Sequence, residues 1–155
     1  MTLKTKIDAE PGKHDLVITR EFDLPVDLLF KAHTDPVIIE EWMGTKVLEF
    51  NPKAHGSYRF ETTNPQANIT VRMHGVIHEL EPNVKITRTF EMENTPFSVQ
   101  LEFQKFEKLT DDTSKITIHT VFQSGAHRDQ MLKMPFAQGI NMAHNRLQDI
   151  VSKLK

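Results

Sequence analysis

The chain has 155 residues, of which 38% are hydrophobic and 26% charged, proportions that exclude a disordered or fibrous protein and fit one domain with one core. A net charge of −2 and a pI near 6.4 argue against a nucleic-acid or anionic-membrane partner, because both favour a basic surface. The absence of cysteine excludes disulfides and thiolate chemistry. With no secretory signal and no long apolar run, we expect a cytoplasmic protein.

The first predicted elements are one strand and two short helices. Residues 1–14 are polar and lack an apolar period, so we expect a flexible N-terminal arm followed by a single domain over residues 15–155. Residues 16–22 alternate as a strand does. The first helix opens at Pro25, and the second opens at Asp35-Pro36, where a capping side chain precedes proline, and ends at Gly44.

A period of two then continues for about 75 residues and is broken only by turn sequences such as Glu81-Pro82-Asn83. It predicts six strands, at 46–51, 57–63, 69–80, 84–92, 97–108 and 114–123. Their short connections predict antiparallel pairing, because a parallel pair needs a crossover of a dozen or more residues. The sequence therefore predicts a seven-stranded antiparallel sheet.

The last predicted element is a long C-terminal helix between Pro135 and Leu154. Its apolar residues recur every three or four positions: Phe136, Ile140, Ala143, Leu147, Ile150 and Leu154. Residues 126–138 form a separate short segment in this interpretation, either a simple cover or a mobile lip over a cavity. The order of elements is that of an α+β protein whose sheet curves around one helix.

Several motifs occur together in the order found in one known family. They are Arg20, Phe22, Pro25, Leu29-Phe30, Ala32, Thr34-Asp35-Pro36, Trp42, Gly56 to Phe60, Gly75 to Pro82, Gly139 and Arg146-Leu147. From about residue 16 to 154 the chain resembles the Bet v 1-like, START-related helix-grip superfamily, and within it the family of activator of Hsp90 ATPase homologue 1-like proteins. Met43 stands where relatives often have an aromatic residue, and His55 where they often have glycine.

The resemblance implies a helix-grip fold: a curved antiparallel sheet, two short helices after the first strand, and a long C-terminal helix packed across the sheet. It also implies a cavity between sheet and helix that accepts an apolar small molecule in many relatives. The eukaryotic activator has a separate N-terminal domain that contributes to chaperone binding. A chain of 155 residues has no room for that domain, so a chaperone partner is the less favoured expectation.

The apolar strand and helix faces predict the residues that line this cavity. They are Trp42, Tyr58, Phe60, Met73, Gly75, Arg88, Phe103, Phe136 and Ile140. Gly75 stands where the alternation calls for a large side chain, so it leaves room in the cavity or bends the strand. Arg20 and Arg88 each interrupt an apolar strand face, and Arg88 either anchors the polar end of a ligand or pairs with a local carboxylate.

The sequence predicts no metal site, no cofactor and no catalytic residue. His74 and His78 have a spacing that suits zinc on a helix, but on a strand four residues span about 13 Å, which is too far for two ligands of one ion. His33 lies on an apolar helix face, which favours a hydrogen-bonded core residue over a catalytic base. The common nucleophile, phosphate-loop and metalloprotease motifs are absent from the sequence.

Binding of a small hydrophobic or amphipathic ligand is therefore the leading functional prediction. One alternative is an enzyme of the cyclase or dehydratase type that uses the same cavity, with Tyr58, Arg88 and a nearby histidine as its polar groups. The other is a protein-interaction module for chaperone regulation. We expect no nucleic-acid or membrane partner, and a monomer or weak homodimer.

Overall fold

The computed structural model describes residues 3–155, which form one antiparallel sheet and four helices. The elements are β1 (Lys6–Asp8), β2 (Asp15–Phe22), α1 (Val26–Lys31), α2 (Pro36–Met43), β3 (Lys46–Phe50), β4 (Ser57–Asn64), β5 (Ile69–Glu81), β6 (Lys85–Met92), β7 (Gln100–Lys108), β8 (Ser114–Val121), α3 (Gly125–Leu132) and α4 (Phe136–Ser152). This arrangement confirms the predicted α+β, helix-grip class.

The eight strands pair in the order β1-β2-β8-β7-β6-β5-β4-β3, and every pairing is antiparallel. Strands β3 to β8 follow each other through short connections, as their turn sequences predict. Strand β2 instead pairs with β8, so that Asp15 lies opposite Val121 and Phe22 opposite Ser114. Register shifts in β3 and β5 add bulges, which bend a strand and help a sheet to curve.

The N-terminal segment corrects the predicted arm and raises the strand count from seven to eight. Lys6–Asp8 pairs with β2, with Ile7 opposite Ile18. The backbone N–H of Thr5 also donates to Asn141 Oδ1 in α4, over 3.0 Å. A strand of three residues with one apolar side chain has no period to detect, which is why the sequence did not reveal it. Residues 1 and 2 of the predicted arm lie outside the described residues.

Local sequence signals account for the short helices. Asp35 caps α2 by accepting a hydrogen bond from the backbone N–H of Val37 at 3.0 Å, and Pro36 occupies the first helical position. Gly44 ends the helix with a left-handed φ of +62°, a conformation that glycine adopts without steric cost. The indole of Trp42 donates to the carbonyl of Ala32 at 2.7 Å, which fixes α2 against the end of α1.

The core lies between one face of the sheet and the helices. In β8 the side chains of Ser114, Ile116, Ile118 and Thr120 are buried and alternate with partly exposed ones, so one face of the sheet points inward. Helix α4 places Leu147 and Val151 in this core, both fully buried. Arg146 Nε donates to the carbonyl of Trp42 at 3.0 Å and fastens α4 to α2. Within residues 3–155, none of the helices has the length and apolarity needed to cross a bilayer.

Candidate ligand-binding cavity

A cavity of about 390 Å³ lies between the first half of α4 and the inward face of the sheet. This volume falls within the range of roughly 300–1,000 Å³ that is usual for small-molecule sites. Fifteen of its 22 lining residues are apolar, and α4 with the turn before it contributes Met134, Pro135, Phe136, Ile140 and Ala143. Met134 lines the cavity and is also 43% exposed, so the cavity meets solvent at the junction of α3 and α4.

One wall of the cavity is polar and is built around the ion pair of Arg88 and Glu102. These residues lie directly opposite each other in the ladder between β6 and β7, and Arg88 Nε donates to Glu102 Oε1 at 2.9 Å. The two Glu102 oxygens also accept from Gln104 Nε2 at 3.4 Å and from Gln100 Nε2 at 3.0 Å. Burial would by itself lower the pKa of Arg88, but the adjoining groups, Glu102 among them, raise it above its ordinary value. Both members of the pair therefore carry a charge, and the two charges cancel.

His33 lines the cavity as a neutral ring whose tautomer is fixed by one contact. Its Nδ1 lies 2.9 Å from the carbonyl oxygen of Leu29, and because a carbonyl only accepts, Nδ1 carries the proton. Burial lowers the pKa of His33 to about 4, so the ring is uncharged at neutral pH. The rings of Trp42 and Phe106 pack at 5.3 and 5.2 Å from it. Within residues 3–155, Nε2 of His33 has no hydrogen-bond partner, and it is an acceptor.

A second cavity histidine, His144 of α4, connects the cavity to the N-terminal segment. Its Nδ1 lies 2.7 Å from Oγ1 of Thr5, which also accepts from Arg20 Nη1 at 3.4 Å. Burial, assisted by the charge of Arg20, lowers the pKa of His144 to about 3. The guanidinium of Arg20 donates to the side-chain oxygens of Asn141 and Asn145 at 3.3 and 3.0 Å. Arg20 is thus satisfied by neutral groups, and no described carboxylate forms an ion pair with it.

The family model for the activator of Hsp90 ATPase homolog 1-like protein matches residues 23–152 of this chain. The chain belongs to this family. The match confirms the resemblance seen in the sequence, and it includes every cavity-lining residue except Ile18. No curated protein matches the sequence.

Solved structures share the fold of this family member at low sequence identity. Protein Ms6760 from Mycobacterium smegmatis superposes with a TM-score of 0.85 at 19% identity, over 96% of each chain. A protein from Rhodobacter sphaeroides gives 0.85 at 18% identity, over 97% of this chain and 99% of that one. A solution structure from Arthrobacter aurescens gives 0.84 at 18% identity, over 96% and 91%. These similarities establish the fold.

Five of the nine predicted cavity residues line the cavity of this family member. They are Trp42, Phe60, Arg88, Phe136 and Ile140. Arg88 takes the second of its two predicted roles, because it pairs with the local carboxylate of Glu102. Met73 is partly buried against the core, but it lies outside the cavity lining.

Tyr58 and Gly75 form a structural contact next to the cavity. They lie opposite each other in β4 and β5, and the fully buried Tyr58 donates its hydroxyl hydrogen bond to the carbonyl of Thr89 at 2.5 Å. A Cβ atom at position 75 would lie 2.0 Å from that carbonyl oxygen and 2.8 Å from the Tyr58 hydroxyl. Gly75 therefore permits a close approach of two strands, and neither it nor Tyr58 lines the cavity.

The prediction for Phe103 is wrong, because this side chain lies on the outer face of the sheet. It is 40% exposed and stacks on His119 with ring centroids 5.9 Å apart. The inward positions of β7 belong instead to Glu102, Gln104 and Phe106, all buried. Because Glu102 and Gln104 face the core in this strand, its apolar face is not the inward one, and the hydrophobic pattern assigned Phe103 to the wrong face of the sheet.

The polar residues of the cavity were the part that sequence reasoning missed. Besides Arg88, they are His33, Gln100, Glu102, Gln104, Thr120 and His144. One signal was available: a buried arginine needs a partner, and the turn between β6 and β7 sets the register that places Glu102 opposite Arg88. Nothing in the sequence connects His144 to Thr5, which are 139 positions apart.

Proposed function

We propose that this protein binds a small, largely apolar molecule in the cavity between α4 and the sheet. The observation that carries the proposal is a cavity of about 390 Å³ whose lining is mostly apolar and whose sheet side carries a small polar cluster around Arg88 and Glu102. Small-molecule sites typically combine an apolar lining with a few polar groups that orient the ligand. The family description names an activator of a chaperone ATPase, but a hollow interior favours a ligand over a chaperone partner.

The test fills the cavity without altering its polar wall. Ala143 lines the cavity, whereas Ala137 is on the same helix, exposed and outside the lining, so Ala143→Phe and Ala137→Phe form a matched pair. Trp42 is the only tryptophan and lines the cavity, so its fluorescence and its single indole N–H resonance report on occupancy.

With para-phenylphenol as the probe, we expect the wild type and Ala137→Phe to show saturable binding and a raised melting temperature, because the ligand binds only the folded state. The Ala143→Phe variant should bind at least tenfold more weakly while remaining folded. Equal affinity in both variants, or no response of Trp42 in the wild type, would contradict the proposal.

Catalysis in the same cavity is the second candidate, favoured by the convergence of Arg88, Glu102 and two histidines. A general base works best when its pKa lies near the operating pH. Burial lowers the pKa of His33 to about 4 and that of His144 to about 3, so both are weak bases. Tyr58, the other predicted polar group, is engaged with Thr89 outside the cavity lining. We therefore place binding ahead of catalysis; the cytoplasmic location and the monomeric or weakly dimeric state stay predictions.

A further inference from the structure

We propose, building on the ligand-binding function proposed above, that the cavity selects an uncharged amphipathic ligand that donates a hydrogen bond to Nε2 of His33, and that it discriminates against carboxylates. The inference rests on two observations about the polar wall. The first is the fixed tautomer of His33, and the second is the internal neutralisation of Arg88 by Glu102.

The tautomer makes His33 an acceptor for a ligand. Because Nδ1 donates to the carbonyl of Leu29, the lone pair of the neutral ring is on Nε2. The rings of Trp42 and Phe106 pack against the imidazole and restrict its rotation. An unpartnered acceptor at the cavity wall favours a ligand with an N–H or O–H group, because a ligand that covers the nitrogen without donating to it leaves it unpaired.

The charge of Arg88 is already compensated, which argues against a carboxylate ligand. Glu102 accepts hydrogen bonds from Arg88, Gln100 and Gln104, so its negative charge is held in place by three side chains. An anionic ligand would bring a second negative charge into the same buried region, and the residues that line the cavity offer no second cation. Burying an unpaired charge is strongly unfavourable. Neither cavity histidine supplies that positive charge at neutral pH, because burial keeps the pKa of each far below 7.

The guanidinium nitrogens of Arg88 that do not contact Glu102 also favour an uncharged ligand. Within residues 3–155, only Nε of Arg88 forms a hydrogen bond, so its terminal N–H groups remain available as donors. They can donate to a neutral oxygen of the ligand without burying further charge. The wall thus offers one acceptor at His33 and donors at Arg88, a pattern that suits an uncharged polar group on an apolar body.

The experiment compares three probes with the same apolar body at pH 7.5: para-phenylphenol, para-methoxybiphenyl and biphenyl-para-carboxylate. Dissociation constants come from Trp42 fluorescence. We expect the phenol to bind about three- to tenfold more tightly than the methyl ether, the range of one hydrogen bond. The carboxylate should bind most weakly. Long-range nitrogen–proton NMR of the wild type should show proton-bearing Nδ1 in His33 and a shift of Nε2 on addition of the phenol.

Two variants separate the role of His33 from general packing. In His33→Phe, which keeps an aromatic ring between Trp42 and Phe106, the preference for the phenol over the ether should disappear while the ether binds as before. His78→Phe changes an exposed histidine outside the cavity and should keep the preference. If His33→Phe does not fold, the wild-type probe series and the Nε2 shift decide the question.

The outcomes distinguish this inference from the function on which it rests. If all three probes bind and the ether equals the phenol, or the carboxylate binds most tightly, the inference is overturned while ligand binding stands. If none of the probes binds saturably, ligand binding fails and the inference fails with it.

Discussion

The two halves of α4 lie on the same sheet, but one half is close-packed in the core and the other half lines a cavity. In the filled half, residues 145–152, Leu147 and Val151 are fully buried. In the hollow half, residues 136–144, Phe136, Ile140, Ala143 and His144 line a cavity. A single apolar stripe along one helix therefore forms both a close-packed core and a cavity wall, so the stripe alone does not decide which of the two it becomes.

The sheet beneath the helix explains the difference. Outside the cavity lining, the inward side chains of β7 and β8 include Phe106, Ile116 and Ser114, whose hydroxyl donates to the carbonyl of Leu24 at 2.7 Å. Within the lining, the inward side chains include Arg88 and Glu102, which satisfy each other. Apolar side chains cannot close densely over an ion pair without further desolvating it, and this favours an open space above the pair.

The first prediction tests whether the ion pair in the cavity wall contributes to the stability of the fold. Replacing Arg88 by methionine leaves the Glu102 carboxylate buried without its cation. We expect a loss of about 3–5 kcal/mol in the free energy of unfolding, measured by urea denaturation. The double change Arg88→Met with Glu102→Gln should recover most of this loss, because no lone charge remains. A single variant as stable as wild type would show that the polar wall is open to water.

The second prediction compares the two halves directly. Leu147→Ala removes a fully buried side chain from the filled half and should lower the free energy of unfolding by about 2–5 kcal/mol. Ile140→Ala removes a partly buried side chain that already faces open space, so its cost should be below about 1.5 kcal/mol. Both are read from denaturation midpoints with unchanged slope. Equal losses of unfolding free energy in the two variants would contradict the distinction between the filled and the hollow half of α4.

The third prediction concerns pH. Burial holds the pKa of His33 at about 4, below its ordinary value of 6.5, so between these values the unfolded chain binds the proton and the folded one does not. The stabilising effect of a neutral His33 is thus complete above pH 6.5 and is lost as the pH falls toward 4. Between pH 6.5 and 5, the slope contributed by His33 should approach about 1.4 kcal/mol per pH unit.

The comparison of His33→Gln with His78→Gln isolates this contribution. The first variant should flatten the dependence of unfolding free energy on pH in that interval, and the second, which changes an exposed side chain, should not. The interval lies above the ordinary carboxyl pKa range, so acid titration of Asp and Glu interferes little. An unchanged slope in His33→Gln would mean that this ring is not desolvated as its burial implies.

The sequence was sufficient for most of the fold because its signals are local. The capping pair Asp35-Pro36, the stop at Gly44 and the period-two runs each act over a few residues, and all of them reappear in the structure. The element that was missed, Lys6–Asp8, depends on pairing with a strand further along the chain. The separate short segment predicted before the long helix is α3, Gly125–Leu132.

The cavity was only partly predictable, because its polar wall depends on contacts between distant residues. Large apolar side chains such as Trp42 and Phe136 were identified from helical periodicity. Phe103 was misplaced because its strand presents Glu102 to the interior, where hydrophobic patterning expects an apolar residue. The tautomer of His33 depends on the position of one carbonyl oxygen, which no pattern of residue types specifies.

The pairing of β2 with β8 has a consequence for how the chain folds. The side chains of Asp15 and His119, on facing strands, form a hydrogen bond although they are 104 positions apart. During synthesis, β2 emerges early and its partner β8 emerges after all the other strands, so β2 has no native neighbour on that side while the meander forms. Pairings of such long sequence separation slow folding, since the chain must close a large loop before the contact stabilises it. We therefore expect the joining of β2 to β8 to be a late step in folding, and an unpaired β2 to be the part of the nascent chain most exposed to aggregation.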